Sequence, residues 1–317
     1  PSIVQAVKDG FDLSEASSTP VMLQLRIRAC HAHGQFVASD NRRAPFTIEQ
    51  ALAQPKRDIN RIVLPPASFL HEKEKIEQRW PAAVKFIRER GLNEFFAEDA
   101  DDVGLVVQGG AYNTAIRALD KLGLADVYGD TQVPLYVMNV AYPLVEDEFE
   151  RFCRGKRAIL VLEEGQPNFI EQNISDILRR QGSRTAIHGK DVLPLAGEYN
   201  TATMLAGIKA FLQRYGKVEQ EPVQRKVIAL KAASPALDDN VHARPPGFCT
   251  GCPERPIFTA MKLVERELGP HHVTADIGCH LFSILPPFHI GATTMGYGLG
   301  GASASAFNAP GAKRAIA

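Results

Sequence analysis

The chain has 317 residues, 45% hydrophobic and 23% charged, with 36 basic side chains against 36 acidic ones. That length supports about two domains, each with its own core, and the balanced charge argues against nucleic acid as the main partner, because phosphate binding draws on a surplus of Lys and Arg. The longest apolar runs, such as Ala158 to Leu162, are far too short to cross a bilayer and no signal-peptide pattern opens the chain; a cytoplasmic protein is expected, in which clustered cysteines point to metal or redox chemistry before structural disulfides.

Apolar residues at helical spacing (Ile3, Val7, Phe11, Leu13) predict a helix over 3–17 that Thr19-Pro20 ends, and Val21 to Ile27 then reads as a buried strand. Residues 44–100 are rich in Pro, Lys, Arg and Glu, carry a helical pattern from Ala67 to Arg90 with the only tryptophan, Trp80, and read as a connecting excursion with helices. An alternating pattern follows. Strands are predicted from Val103 to Val107, Pro134 to Val140 and Ala158 to Glu163, with helices from Asn113 to Leu122, Glu146 to Cys153 and Ile170 to Gln181 and a tight turn at Gly109-Gly110. Strands separated by helices of this length predict a parallel sheet covered on both faces. A helix from Thr201 to Tyr215 leads into a polar, Pro-containing linker over 218–246, after which the rhythm restarts with a helix from Pro256 to Leu268, a strand from Val273 to Asp276 and a Gly-rich region over 291–306. No internal repeat or low-complexity tract occurs, and the fold class is α/β throughout, in at least two units. The first residue is Pro1, and Arg314-Ala315-Ile316-Ala317 reads as the start of an apolar strand, so the chain reads as an interior piece of a larger polypeptide.

The chemistry concentrates after the linker. Cys249-Thr250-Gly251-Cys252 and the lone Cys279 in Ala275-Asp276-Ile277-Gly278-Cys279 gather three of the five cysteines. Two thiols two residues apart can grip a metal or form a reversible disulfide, and a third thiol favours the metal. A tetrahedral zinc or a [4Fe-4S] cluster normally needs four protein ligands, so a nearby His or a residue outside the chain would complete the site. Cys252-Pro253 precedes a helix whose N-terminus favours thiolate. Four readings stand beside one another: an iron-sulfur site, a dithiol switch that leaves Cys279 unexplained, a structural zinc completed by His280 or His242, and plain packing of small buried residues.

Other residues carry weaker signals. The run Gly296-Tyr297-Gly298-Leu299-Gly300-Gly301-Ala302-Ser303-Ala304 suits either close helix packing or the approach of a phosphate, and Gly109-Gly110 suits turn geometry alone. His31 and His33 read as loop residues making ordinary hydrogen bonds, His271-His272 as solvated, and Cys30 and Cys153 as packing residues without partners at metal spacing. Glu163-Glu164 ends a strand where ligands of open α/β sheets bind, yet reads as a solvated loop.

Taken in order, Arg244-Pro245-Pro246-Gly247-Phe248-Cys249-Thr250-Gly251-Cys252-Pro253-Glu254-Arg255, then Ala275-Asp276-Ile277-Gly278-Cys279-His280, then Thr294-Met295-Gly296 resemble the thiamine-diphosphate domain of the 2-oxoacid:ferredoxin oxidoreductase family, and within it the alpha subunit of the indolepyruvate branch. Thr19-Pro20-Val21 is similar to the end of that family's pyrimidine-binding domain. Gly109-Gly110-Ala111-Tyr112-Asn113, Tyr142-Pro143-Leu144 and Val161-Leu162-Glu163-Glu164 are similar to its transketolase C-terminal-like domain. The resemblance implies four segments: the end of a pyrimidine-binding-like domain (1–44), a helical connecting segment (45–100), a transketolase C-terminal-like α/β domain (101–217), and a linker with the first part of a thiamine-diphosphate-binding domain (218–317).

It also implies an activity, the oxidative decarboxylation of an aryl pyruvate such as indolepyruvate to an aryl-acetyl-CoA. Thiamine diphosphate is the electron sink, coenzyme A takes the acyl group, and iron-sulfur clusters pass electrons to ferredoxin. By this resemblance Cys249, Cys252 and Cys279 hold a [4Fe-4S] cluster with a fourth cysteine beyond Ala317, Asp276, Ile277, Gly278 and Cys279 lie beside the thiamine, and Gly296 lies near its phosphate end. The remaining domains or a beta subunit of the same enzyme are the implied partners. Against the family pattern, Ala275 replaces a common glycine, the Gly-Asp-Gly motif for Mg²⁺ and diphosphate is expected to begin where these residues end, the catalytic glutamate is expected in the domain that precedes Pro1, and the ferredoxin-like cluster segment is not among the 317 residues. The 317 residues alone are therefore expected to be inactive, a non-catalytic assembly module with a structural zinc or dithiol site being the alternative.

Overall fold

The computed structural model describes residues 3–30, 33–38, 40, 47–53, 55, 58–218, 245–307 and 315–316. The chain divides into two compact units, 1–228 and 229–317.

The first unit is built on a five-stranded sheet in the order β1-β3-β2-β4-β5, with β1 Glu94–Phe96, β2 Val103–Gln108, β3 Leu135–Met138, β4 Ala158–Leu162 and β5 Ala186–His188. The β2, β3, β4 and β5 pairings are parallel, while β1 runs antiparallel on the edge beside β3. Strands covered on both faces must be apolar on both, which is why Val103-Gly104-Leu105-Val106-Val107 and Ala158-Ile159-Leu160-Val161-Leu162 are unbroken apolar runs, buried at every position.

Alternate residues sort the two faces. Leu105, Val107, Leu135 and Leu160 pack against Ala115 and Leu119 of α6 (Tyr112–Lys121) and Met204, Ile208 and Phe211 of α9 (Thr201–Arg214). Val106, Tyr136, Ile159 and Val161 pack against Phe149 and Phe152 of α7 (Glu146–Cys153) and Ile174 of α8 (Phe169–Arg180). The parallel α/β class read from the alternating pattern is the class observed.

The N-terminal region differs from its sequence reading. Helix α1 (Ile3–Ser17) forms as predicted and buries Leu13 against Ala83, Ile87 and Val145. Val21 to Ile27 is not a buried strand: residues 21–26 pair with no strand among the described residues, Met22 is 82% exposed, and Ile27 opens the short helix α2 (Ile27–Cys30). An apolar run becomes a strand only where a ladder partner takes its N–H and C=O groups. Helix α3 (Ile48–Ala53) follows.

The helix read from Ala67 to Arg90 is interrupted. It comprises α4 (Ala67–Glu74), a π-turn over Lys75–Arg79 in which Trp80 N–H donates to Lys75 O, and α5 (Trp80–Arg90), closed by Gly91. Pro81, lacking an N–H and crowding the preceding turn, accounts for the break. Glu94–Phe96, inside the segment read as helical, is the edge strand β1.

Loop residues at the end of β5 fasten α9. His188 Nδ1 pairs with Asp191 Oδ2 at 2.7 Å and its Nε2 with Tyr215 Oη at 2.8 Å, while Arg214 Nη1 donates to Asp191 at 2.9 Å. Burial alone would raise the Asp191 carboxyl, but the Gly189 N–H, His188 and Arg214 outweigh it and hold it at about 2. A depressed folded-state value means that the stability supplied by Asp191 is present above its ordinary value of 3.8 and is lost as pH falls through about 2. Asp191→Asn is therefore expected to flatten the loss of folding stability between about pH 4 and pH 2, read as the acid limb of the melting temperature against pH. An unchanged acid limb would refute the assignment.

In the second unit β6 (His272–Ala275), β7 (Gly291–Thr294) and β8 (Ala315–Ile316) form a parallel sheet in the order β7-β6-β8. Helix α10 (Glu254–Leu268) contributes Phe258 to a core with Val273, Phe288 and Ile290. Among the described residues no helix is long and apolar enough to cross a membrane.

Candidate functional site

In the second unit, parallel strands β6 and β7 deliver their carboxyl ends side by side, the edge at which open α/β sheets bind ligands. Asp276 follows β6 directly. Its Oδ2 accepts from Gly298 N–H at 2.9 Å and its Oδ1 from Gly300 N–H at 2.6 Å, while Thr274 Oγ1 donates to Gly300 O at 2.7 Å. One carboxylate thus draws the glycine loop after β7 onto the end of β6 and opens helix α11 (Gly300–Ser305).

Gly278 (φ 142°) and Gly298 (φ 73°) hold backbone conformations that disfavour side chains, and a Cβ on either would meet nothing within 4 Å. Bare backbone beside open space is what a ring or phosphate can approach closely. Ile277, Gly278 and Cys279 are exposed, and Gly296 O accepts from Leu299 N–H at 3.2 Å within the same glycine loop. Asp276, Gly278 and Gly296 therefore belong to two loops tied together by Asp276.

The thiol segment is anchored by aromatic packing. The Phe248 ring meets Phe258, Phe282 and Phe288 at centroid distances of 5.3, 5.8 and 5.6 Å, Arg255 Nη2 donates to Phe248 O at 2.7 Å, and Cys252 N–H closes the turn onto Cys249 O at 3.2 Å. Glu254 Oε1 lies 3.8 Å from His280 Nε2, which sets the residue two after Cys252 near the residue after Cys279. Glu254 Oε2 and Ser283 Oγ are buried without a hydrogen-bond partner.

Cys249 and Cys279 are exposed and Cys252 is half-buried, and among the described residues no three Cys, His, Asp or Glu side chains form a group that could hold a metal ion. The two loops with Gly278 and Gly298 fit an approaching cofactor; the three thiols, as placed, do not by themselves fit a cluster. His242 lies outside the described residues, as does His31, and His33 is exposed.

Several residues stand differently from their sequence readings. Cys153 is buried and burial pushes its thiol up to about 12, but Cys30 is exposed and packs no core. His271 and His272 are half-buried: His272 Nε2 pairs with Thr293 Oγ1 at 2.7 Å and its ring stacks on Phe307 at 3.9 Å. Glu163, read with Glu164 as a solvated loop, is 6% exposed; it accepts from Ile170 N–H at 3.0 Å and Glu171 N–H at 3.1 Å, covering two of the free amides at the start of α8. Sequence reading also missed Glu254 and Thr274, because no local spacing signals a contact made across 26 residues.

The family model described as indolepyruvate ferredoxin oxidoreductase middle domain matches residues 93–193, the span that carries all five strands of the first sheet. Proteins named indolepyruvate oxidoreductase subunit IorA are similar along nearly the whole chain: 26% identical over 298 residues in Methanothermobacter thermautotrophicus (90% of this chain, 43% of that protein), 26% over 295 residues in Thermococcus kodakarensis (93% and 43%), and 28% over 299 residues in Archaeoglobus fulgidus (90% and 43%). The chain spans less than half the length of these curated relatives.

Proposed function

We propose that this chain contributes the middle α/β domain and part of the thiamine-diphosphate domain to a cytoplasmic 2-oxoacid oxidoreductase that converts aryl pyruvates, indolepyruvate among them, to aryl-acetyl-CoA, with [4Fe-4S] clusters passing the electrons to ferredoxin. The observation that carries this reading is the similarity to IorA subunits across both units, joined in the second by two glycine loops at the carboxyl ends of parallel strands. When bound with Mg²⁺, thiamine diphosphate supplies the electron sink for decarboxylation. The protein's part in that unit is positional. Asp276 fixes the loop of Gly296 against that of Ile277, Gly278 and Cys279. Phe248, Phe258, Phe282 and Phe288 pack together beside the thiol segment, and Glu254 and His280 bring the segment of Cys249 and Cys252 near that of Cys279. The reading treats these cysteines as cluster ligands whose set is completed outside the described residues.

The test uses the protein expressed from its complete gene with any partner subunit and purified without oxygen. Iron and acid-labile sulfide in equal amounts are expected, with reduction of ferredoxin that requires indolepyruvate, coenzyme A and thiamine diphosphate together. Stoichiometric zinc without sulfide, or no turnover of any aryl pyruvate, would overturn the proposal in favour of an assembly module.

A further inference from the structure

The first sheet reverses its strand order at β2, with β3 on one side and β4 on the other. Beyond the carboxyl ends of β2 and β4 lies the crevice in which such sheets take their ligands. Here it holds a side chain of the same polypeptide. Arg26, which follows the exposed apolar stretch 21–25, places Nη2 2.7 Å from both Oε1 and Oε2 of Glu164, the second residue after β4, and 3.6 Å from Glu198 Oε1.

The surroundings are shaped for that arginine. A Cβ on Gly110, in the turn after β2, would lie 2.9 Å from Arg26 Cδ and 3.5 Å from its Cγ, so only glycine leaves room for the stem. Glu164 is held from two further segments: its N–H donates to Gln108 Oε1 at the end of β2 (3.3 Å), and its Oε2 accepts from Tyr199 N–H ahead of α9 (2.6 Å). A carboxylate fixed by its own backbone and by a second donor is a preorganised receptor for a guanidinium.

We propose that the switch-point crevice of the middle domain is a guanidinium-binding socket whose occupant is Arg26, and that it fastens the segment 19–30 across the sheet edge. Gly110, Glu164 and Glu198 make the socket, and Arg26 occupies the carboxylate there that a cationic ligand would otherwise meet. The socket lies wholly within the first unit and does not depend on the proposed activity.

Chemical rescue tests it in the protein expressed from its complete gene. In Arg26→Ala the emptied socket should bind methylguanidinium, raising the melting temperature saturably at concentrations of about 10 mM, an effect expected to vanish in Arg26→Ala combined with Glu164→Gln and to be absent from the unaltered protein. Amide exchange over 19–30 should quicken about tenfold in Gly110→Val and in Glu164→Gln, with exchange in β2 and β4 unchanged. No rescue by methylguanidinium, exchange over 19–30 that ignores both substitutions, or quickening shared equally by β2 and β4 would each overturn the socket.

Discussion

Asp276→Ala is expected to unfasten the proposed cofactor loop and to cost the second unit about 2–4 kcal/mol of stability. The carboxylate accepts two charge-assisted hydrogen bonds, from Gly298 N–H at 2.9 Å and Gly300 N–H at 2.6 Å. The bond to buried Gly300 is of the stronger class, net about 1.5–3 kcal/mol, whereas water can replace the carboxylate at exposed Gly298. Gly300 is buried, so its amide, deprived of Asp276, would be left without an acceptor, and the penalty for an unpaired buried donor adds to the loss of the bond. Asp276→Asn separates the two contributions: its single carbonyl oxygen can serve one amide while its NH₂ opposes the other, so a loss of about half the alanine value is expected. The urea midpoint of the second unit's transition measures both. In the protein expressed from its complete gene, the proposed turnover of indolepyruvate should fall at least about 100-fold in the alanine variant, because displacement of a positioning loop by an ångström is enough for that. An unchanged midpoint together with unchanged turnover would remove Asp276 from the site.

How far these features were legible in the sequence depends on how local their causes are. Strands β2, β3 and β4 were readable because a parallel strand covered on both faces must be apolar at nearly every position, as Val103–Val107 and Ala158–Leu162 are. Strand β5, only Ala186-Ile187-His188 at the sheet edge, offers too few apolar residues to announce itself. The error at Val21 to Ile27 has the opposite origin. The residues have strand composition, but composition does not supply a ladder partner.

The same distinction runs through the site. The spacing of Cys249 and Cys252 and the glycines at 278, 296 and 298 are local and were visible. What ties them together, Asp276 reaching Gly298 and Gly300 and Glu254 reaching His280, spans 22 to 26 residues and follows from tertiary packing alone. The short antiparallel strand Glu94–Phe96 and the π-turn before Pro81 belong to a third class, in which a local signal was present but pointed to helix, because a helical period around Trp80 outweighed one proline.

Glu163→Ala is expected to destabilise the first unit by about 2–4 kcal/mol, more than the neighbouring Glu164→Ala, although the two carboxylates are adjacent. Their partners lie in different segments, the start of α8 for Glu163 and Arg26 with Tyr199 for Glu164. Glu163 is the buried one, and it spreads its two oxygens over the amides of Ile170 and Glu171, where the α8 dipole also favours negative charge. Alanine would remove both bonds and leave two amides of the first turn of α8 without acceptors beneath the core residues Ile170 and Ile174. Glu163→Gln keeps the shape and one acceptor, and should recover roughly half of the loss. Glu164 is half-buried and its partners, Arg26 and Tyr199 N–H, lie where water can replace it, so its removal should loosen segment 19–30 with a smaller change in global stability. Thermal unfolding followed through the first unit ranks the variants. Equal losses at the two positions would mean that Glu163 does not cap α8 in solution.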